Sequence, residues 1–293
     1  MNPARLKPTR ASLPRRVIRW VAYAFLGGVL LVAIGVLNNN FSISKPSLAE
    51  FQARLDRSIL DSTDWMYAQP PESNGYLTFM AQDCVEMSGE PKLAKFVKES
   101  MGIIRNTFMA RLVEPQAPFV APGPWIASAG AYNRWLTYAI SRGEYPLSEE
   151  DRIAMLEPDR ARTGRATHQL FALMLYRRYQ GATPALDQLI RHISLRIAQE
   201  AALDFRVTDL YLQRISFLLA AGQADLVQPR WVERALGAQD SNGGWFWNWF
   251  GWAPTPYLFG LEDAPHIHPT SQGLWLSYML KYRFPEWSRR HYR

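Results

Sequence analysis

Eighteen consecutive uncharged residues near the start of the chain, WVAYAFLGGVLLVAIGVL from Trp20 to Leu37, constrain the fold more than any other stretch. In lipid such a run has to be a helix, because every backbone N–H and C=O must be satisfied inside the segment. At 1.5 Å per residue it covers about 27 Å, close to the ~30 Å of a hydrocarbon core, and Val17 and Ile18 lengthen it. Arg5, Lys7, Arg10, Arg15, Arg16 and Arg19 lie before it, and the first acid of the chain is Glu50. A basic flank on the N-terminal side keeps that side in the cytoplasm and sends the remainder across. The following NNNFSISKP offers no small-x-small cleavage site, so an uncleaved signal-anchor is expected in preference to a removable signal peptide. The organisation expected is a basic cytoplasmic tail over 1–16, a transmembrane anchor over 17–37, a polar linker over 38–50 and a folded domain over 51–293. This describes a single-pass inner-membrane protein with a periplasmic domain.

The formal charge of +7 is carried mostly by that tail, which leaves the exported part nearly neutral. Nucleic-acid binding needs a basic face on the folded domain and is not expected. The composition is 48% hydrophobic, enough for a sizeable core. Cys84 is the single cysteine, so no intramolecular disulfide staples the domain, and the residue reads as a small buried hydrophobe.

Beyond the linker, helical periodicity recurs. Leu186, Leu189, Ile190, Ile193, Ile197 and Ala201 return at steps of three and four, the stripe of an amphipathic helix. Helices are expected over 47–60, 76–88, 91–111, 129–142, 148–157, 165–180, 184–202, 207–221, 229–238 and 269–283. Ser148 and Asp151 approximate a capping box, and Gly181 and Gly222 stand where C-terminal caps belong. EPQAPFVAPGPW, residues 114–125, holds four prolines and has to be loop. No strand pair stands out. The expected fold is all-α, with antiparallel helix hairpins closed into a ring.

The densest feature is ALGAQDSNGGWFWNWFGW, residues 235–252. Gln239, Gly243 and Trp245 carry the spacing Gln-x-x-x-Gly-x-Trp, and HIHPTSQGLWLSYML follows over 266–280. A glutamine amide can cap a neighbouring helix, glycine permits a turn with positive φ, and tryptophan packs inside it. This pattern resembles the QW turn of squalene–hopene cyclases and their protein-prenyltransferase relatives. The stretch TSQGLWLSYMLKY that follows resembles the Ser-x-x-Gln-Gly helix near the end of uronyl epimerase domains, and the whole order of turn and helix is similar to α/α-toroid proteins that include several polysaccharide lyases. The resemblance covers the last sixty residues at most. It implies an α/α-toroid in which Gln239, Gly243 and Trp245 form a structural turn. The cyclases' Asp-x-Asp-Asp acid is absent, which leaves isoprenoid cyclisation a minor alternative.

Phe246, Trp247, Trp249, Phe250 and Trp252 exceed what such a turn needs. At the mouth of a ring, Trp247, Trp249 and Trp252 could stack on a ligand or dip into the membrane interface. His266 and His268 form His-x-His beside Glu262 and Asp263; with no third ligand identifiable, acid–base work is expected of them and no metal or cofactor is. The stretch EAALDFRVTDLYLQR brings Asp204, Asp209 and Tyr211 to one helix junction, either as an acid–base group or as a capping network around Thr208 and Arg214. Arg134 with Asn133, and His168 after Thr167, occupy comparable helix starts. Lyases of the resembled fold use a group that neutralises the uronate carboxylate and a Tyr or His that moves the α-proton. The candidate catalytic residues are therefore His266, His268, Tyr211, Asp209 and Arg134, with Trp247, Trp249, Trp252 and His168 binding ligand. Thr270 is expected to cap the last long helix, with Pro269 in its first turn. The expected function is modification or cleavage of a cell-envelope polysaccharide. The alternative is a non-catalytic module for a glycan, an isoprenoid-linked lipid or an envelope protein partner.

Overall fold

A computed structural model describes residues 15–41, 45–157, 165–249 and 264–292. Within these the chain is all-α apart from one two-stranded ladder. The first helix, α1, runs Arg15–Asn40, three residues further than the apolar run itself. It is the one described helix long and apolar enough to cross a membrane. Next come α2 (Leu48–Tyr67), α3 (Gly75–Ser88), α4 (Pro91–Ile104) and the single turns α5 (Ala110–Val113) and α6 (Trp125–Ser128). They are followed by α7 (Ala131–Ser141), α8 (Glu149–Leu156), α9 (Ala166–Gln180) and α10 (Pro184–Leu203). A strand β1 (Val207–Thr208) leads into α11 (Asp209–Ala220), then α12 (Pro229–Gly237), strand β2 (Asn248–Trp249), α13 (Ile267–Tyr278) and α14 (Pro285–His291).

The starts obey local chemistry. Ser47 and Glu50 form a reciprocal capping box on α2, and Asn74, Ser148, Thr183 and Thr208 accept from the first turns of α3, α8, α10 and α11. The helix expected over 91–111 ends at Ile104, and the chain turns before resuming at Ala110. Thr270 does not cap α13. His266 does, its ring nitrogen accepting the His268 N–H, while the Thr270 hydroxyl accepts the Trp245 N–H at 2.9 Å.

The core is organised around four helices. Phe79 of α3, Phe171 of α9, Phe217 of α11 and Trp275 of α13 close a cycle of ring contacts, with centroids 5.5, 5.1, 6.0 and 5.9 Å apart in turn. Such pairs add to the burial of the rings themselves. Below this box lies a cavity of about 410 Å³, walled by Asp83, Met174, Arg178, Ala220 and Arg283. Those residues belong to the C-terminal halves of α3, α9 and α11 and to the turn beyond α13, so the four helices run the same way. The N-terminal turns of α9, α11 and α13 are tied at the other end, where Thr167 Oγ1 donates to Gln213 Oε1 at 2.7 Å and Asp209 meets His268. Around them α2 packs on α13 and α4, α4 on α3, α7 on α9, α10 on α9 and α11, and α12 on α11. Every residue of α13 from Pro269 to Tyr278 is buried. Its small residues permit this: Ser277 lies 3.3 Å from Ser58 of α2, and Gly273 abuts the Trp245 ring.

The asparagines expected to begin a linker instead fasten α1 to the domain. Asn38 accepts from Arg230 of α12. Asn39 donates to the Ala201 carbonyl at 2.8 Å. Asn40 donates to Ala202 O at 2.7 Å and accepts from Trp231 Nε1 at 3.2 Å. Helix α1 thus docks between α10 and α12.

Candidate functional site

The end at which α11 and α13 begin assembles chemistry from distant parts of the chain. Antiparallel pairing of β1 with β2 sets Val207 opposite Trp249 and Thr208 opposite Asn248. The ladder continues one step, with Asp209 N–H donating to Trp247 O at 3.0 Å. Asp209 opens α11, and His268 lies in the first turn of α13. Their side chains meet, His268 Nδ1 lying 2.6 Å from Asp209 Oδ1. Both are partly solvent-accessible. A carboxylate at this nitrogen favours the tautomer with the proton on Nδ1 and leaves Nε2 as the acceptor. Gln272, one turn further along α13, sets its Nε2 3.2 Å from the same Nδ1 and flanks the imidazole on its core side.

Trp247 packs over both histidines, 5.0 Å from His266 at a near-perpendicular 85° and 5.5 Å from His268. Trp247 is 41% exposed. His266 uses Nδ1 to accept the His268 N–H at 3.2 Å. It starts α13 and packs against Trp247.

Four expected residues therefore converge: Asp209, His266, His268 and Trp247. Others do not join them. Tyr211, two residues after Asp209, points the opposite way; it is fully buried and donates to Asn39 Oδ1 at 2.8 Å. Burial pushes its phenol well above the ordinary value, so it stays protonated as a structural donor. Arg134 forks onto Asp151 at 2.6 and 2.9 Å and also donates to the Ala129 carbonyl, which ties α7 to α8. It opens on a separate depression beside Tyr145, Leu147 and Glu150. His168 sits against Tyr132, 4.2 Å between ring centroids. Asp204 pairs with Arg214 and Arg206, not with Asp209, so the junction expected to hold two carboxylates holds a buried ion network and a separate dyad. Of Trp249 only the backbone is described, and Trp252, Glu262 and Asp263 lie outside the described residues.

The turn 239–245 has the form its residues imply. Gln239 Nε2 donates to Ser58 O and Gly243 O at 3.1 and 2.9 Å. Gly243 has φ +97°, and a Cβ there would stand 2.1 Å from the Asp61 carbonyl oxygen. Trp245 is buried and donates to Ala235 O at 2.8 Å.

Sequence reasoning passed over three residues. Gln272 was legible as the i+4 neighbour of His268, on the same helix face. Tyr76 and Tyr132, 5.4 Å apart, line the N-terminal turns of α3 and α7. Burial raises both phenols above their ordinary value, which keeps them as neutral donors. Their positions carry no motif. Comparison with family models, curated proteins and solved structures finds no match for this chain.

Proposed function

We propose that this protein is a membrane-anchored α/α-toroid enzyme of the cell envelope that modifies or cleaves a polysaccharide by proton transfer at His268. The four parallel central helices with antiparallel partners outside them support the toroid reading. The basic flank before the apolar run of α1 supports a cytoplasmic N-terminus and a periplasmic domain. The observation that carries the chemistry is the 2.6 Å contact between His268 and Asp209, made across 59 residues of chain. In this reading Asp209 orients the imidazole and stabilises its charged form, His268 Nε2 draws a proton from the sugar, and Trp247 stacks on a sugar face.

The test is incubation of the full chain and its His268→Ala and Asp209→Asn variants with a panel of uronate and neutral envelope polymers. Unsaturated or shortened products that vanish in both variants support the reading. One observation favours a second reading, a non-catalytic glycan-binding module. Among the described residues, Asp209, His266, His268 and Trp247 form no hydrogen bond or ion pair with an arginine or lysine that could neutralise a uronate. Tight binding without turnover across the panel, abolished by Trp247→Ala and kept in His268→Ala, would select that module.

A further inference from the structure

Helix α1 fixes which end of the domain meets the membrane. Gly35 packs against the Phe205 ring so closely that a Cβ would lie 2.8 Å from it. One turn later Asn39 reaches the carbonyl of Ala201. Moving forward along α1 therefore moves backward along the C-terminal end of α10, so the two helices are antiparallel. Everything before Gly35 projects past the end of α10. That end leads directly into β1 and the start of α11, where Asp209 sits. At the start of α2, Phe51 stacks on Tyr292 near the C-terminus at 4.0 Å.

From Val17 to Ile34 the helix is exposed and, save for Arg19 near its start, apolar. Eighteen residues of helix span about 27 Å, close to a hydrocarbon core of ~30 Å. No slack separates this span from the domain, because Gly35 already touches Phe205 and the three asparagines lock the next turn. The bilayer surface must then fall at the level of Phe205. Leu203 beside it is 69% exposed, and Trp247 at the same end is 41% exposed. An apolar side chain and an indole at that depth suit the interface. The cavity below the aromatic box lies at the far end, away from the lipid.

We propose that the end carrying the Asp209–His268 dyad faces the bilayer spanned by α1, and that its ligand is the headgroup of a membrane-anchored glycan. This rests on the glycan reading of the site and adds how the substrate is delivered. A soluble polymer would have to enter between the domain and the lipid surface. A lipid-linked sugar arrives there by lateral diffusion, at the high effective concentration that a shared membrane provides.

Two measurements on the full chain in phosphatidylcholine vesicles test this. Leu203→Cys and Ala182→Cys, both exposed positions, are labelled with a bimane fluorophore and exposed to lipids carrying a shallow nitroxide. Cys84 is fully buried and takes no label. Strong quenching at 203 with none at 182 is expected; equal or reversed quenching overturns the orientation. Arg206→Cys and Arg178→Cys repeat the comparison if either first variant misfolds. The second measurement compares binding of envelope glycolipid with its lipid intact and after the lipid is removed by mild hydrolysis. A preference of about tenfold or more for the intact form is expected. Equal binding overturns delivery by the membrane while leaving the glycan site standing. Binding of neither form overturns the glycan reading, and this inference with it.

Discussion

His268 Nδ1 and Asp209 Oδ1 stand 2.6 Å apart at the first turns of two neighbouring parallel helices. The arrangement decides the tautomer of the imidazole, and so decides which nitrogen can work as a base. Asp209→Asn would keep the shape and remove the charge. Its amide can present an N–H to Nδ1 and reverse the tautomer. On the proposed reading of His268 as base, turnover is expected to fall by on the order of 100-fold or more, with glycan affinity within a few-fold of the parent. Steady-state kinetics beside equilibrium binding on the same preparations check this; equal loss of both would make Asp209 a folding residue only.

Tyr211 and Asn39 make a second long-range pair, at 2.8 Å and wholly buried. Tyr211→Phe leaves the Asn39 carbonyl oxygen without its donor inside the protein. The cost expected is about 1–3 kcal/mol, the penalty of a buried acceptor left unpaired. Chemical unfolding in detergent measures it. Turnover by the folded fraction should be unchanged, which separates this tyrosine from the acid–base role its neighbours give it in the sequence.

The contrast between these pairs shows what sequence can carry. Helix positions were readable because apolar spacing and caps are local, and α10 follows its Leu186–Ala201 stripe to within a residue. Asp209, His266, His268 and Trp247 were readable as types near helix starts. Their meeting was not, since it depends on β1 pairing with β2 forty residues away. Tyr211 was misread for the same reason. One hundred degrees of helical rotation per residue turns it from the mouth to the groove that receives α1, and nothing local announces that groove. Asn38–Asn40 read as a linker because polar triplets usually are; each amide found a partner only after α10, α11 and α12 had packed.

At Gly243 two constraints coincide. The backbone is left-handed at φ +97°, and the Asp61 carbonyl occupies the place of a Cβ. Gly243→Ala is therefore expected to cost at least ~2 kcal/mol through strain and overlap. Trp245→Ala, which empties a buried indole site and orphans the Ala235 carbonyl, should cost about 3–5 kcal/mol. Denaturant melts check both. Near-native midpoints would mean the turn is dispensable and the toroid reading has lost its clamp.

Arg134 gives the last prediction, because its guanidinium is engaged by Asp151 and the Ala129 carbonyl. The hydrogen bonds from its guanidinium hold the Asp151 carboxyl below its ordinary value, reinforced by the Ser148 hydroxyl. A carboxyl depressed in the native state stabilises the fold above its unfolded value, about 3.9, and loses that contribution as pH falls through the native value. Arg134→Ala should thus destabilise the domain by about 1–3 kcal/mol near neutral pH, as expected for charge-assisted bonds in a partly buried site. As pH falls below about 3.9 and on through the depressed native value, Asp151 protonates in both proteins and the difference between parent and variant should shrink. Unfolding midpoints at neutral and acid pH measure this, while turnover per folded molecule stays at the parent value. A large loss of turnover at unchanged stability would return Arg134 to the site and require α7 to approach the dyad more closely than the Asp151 pairing allows.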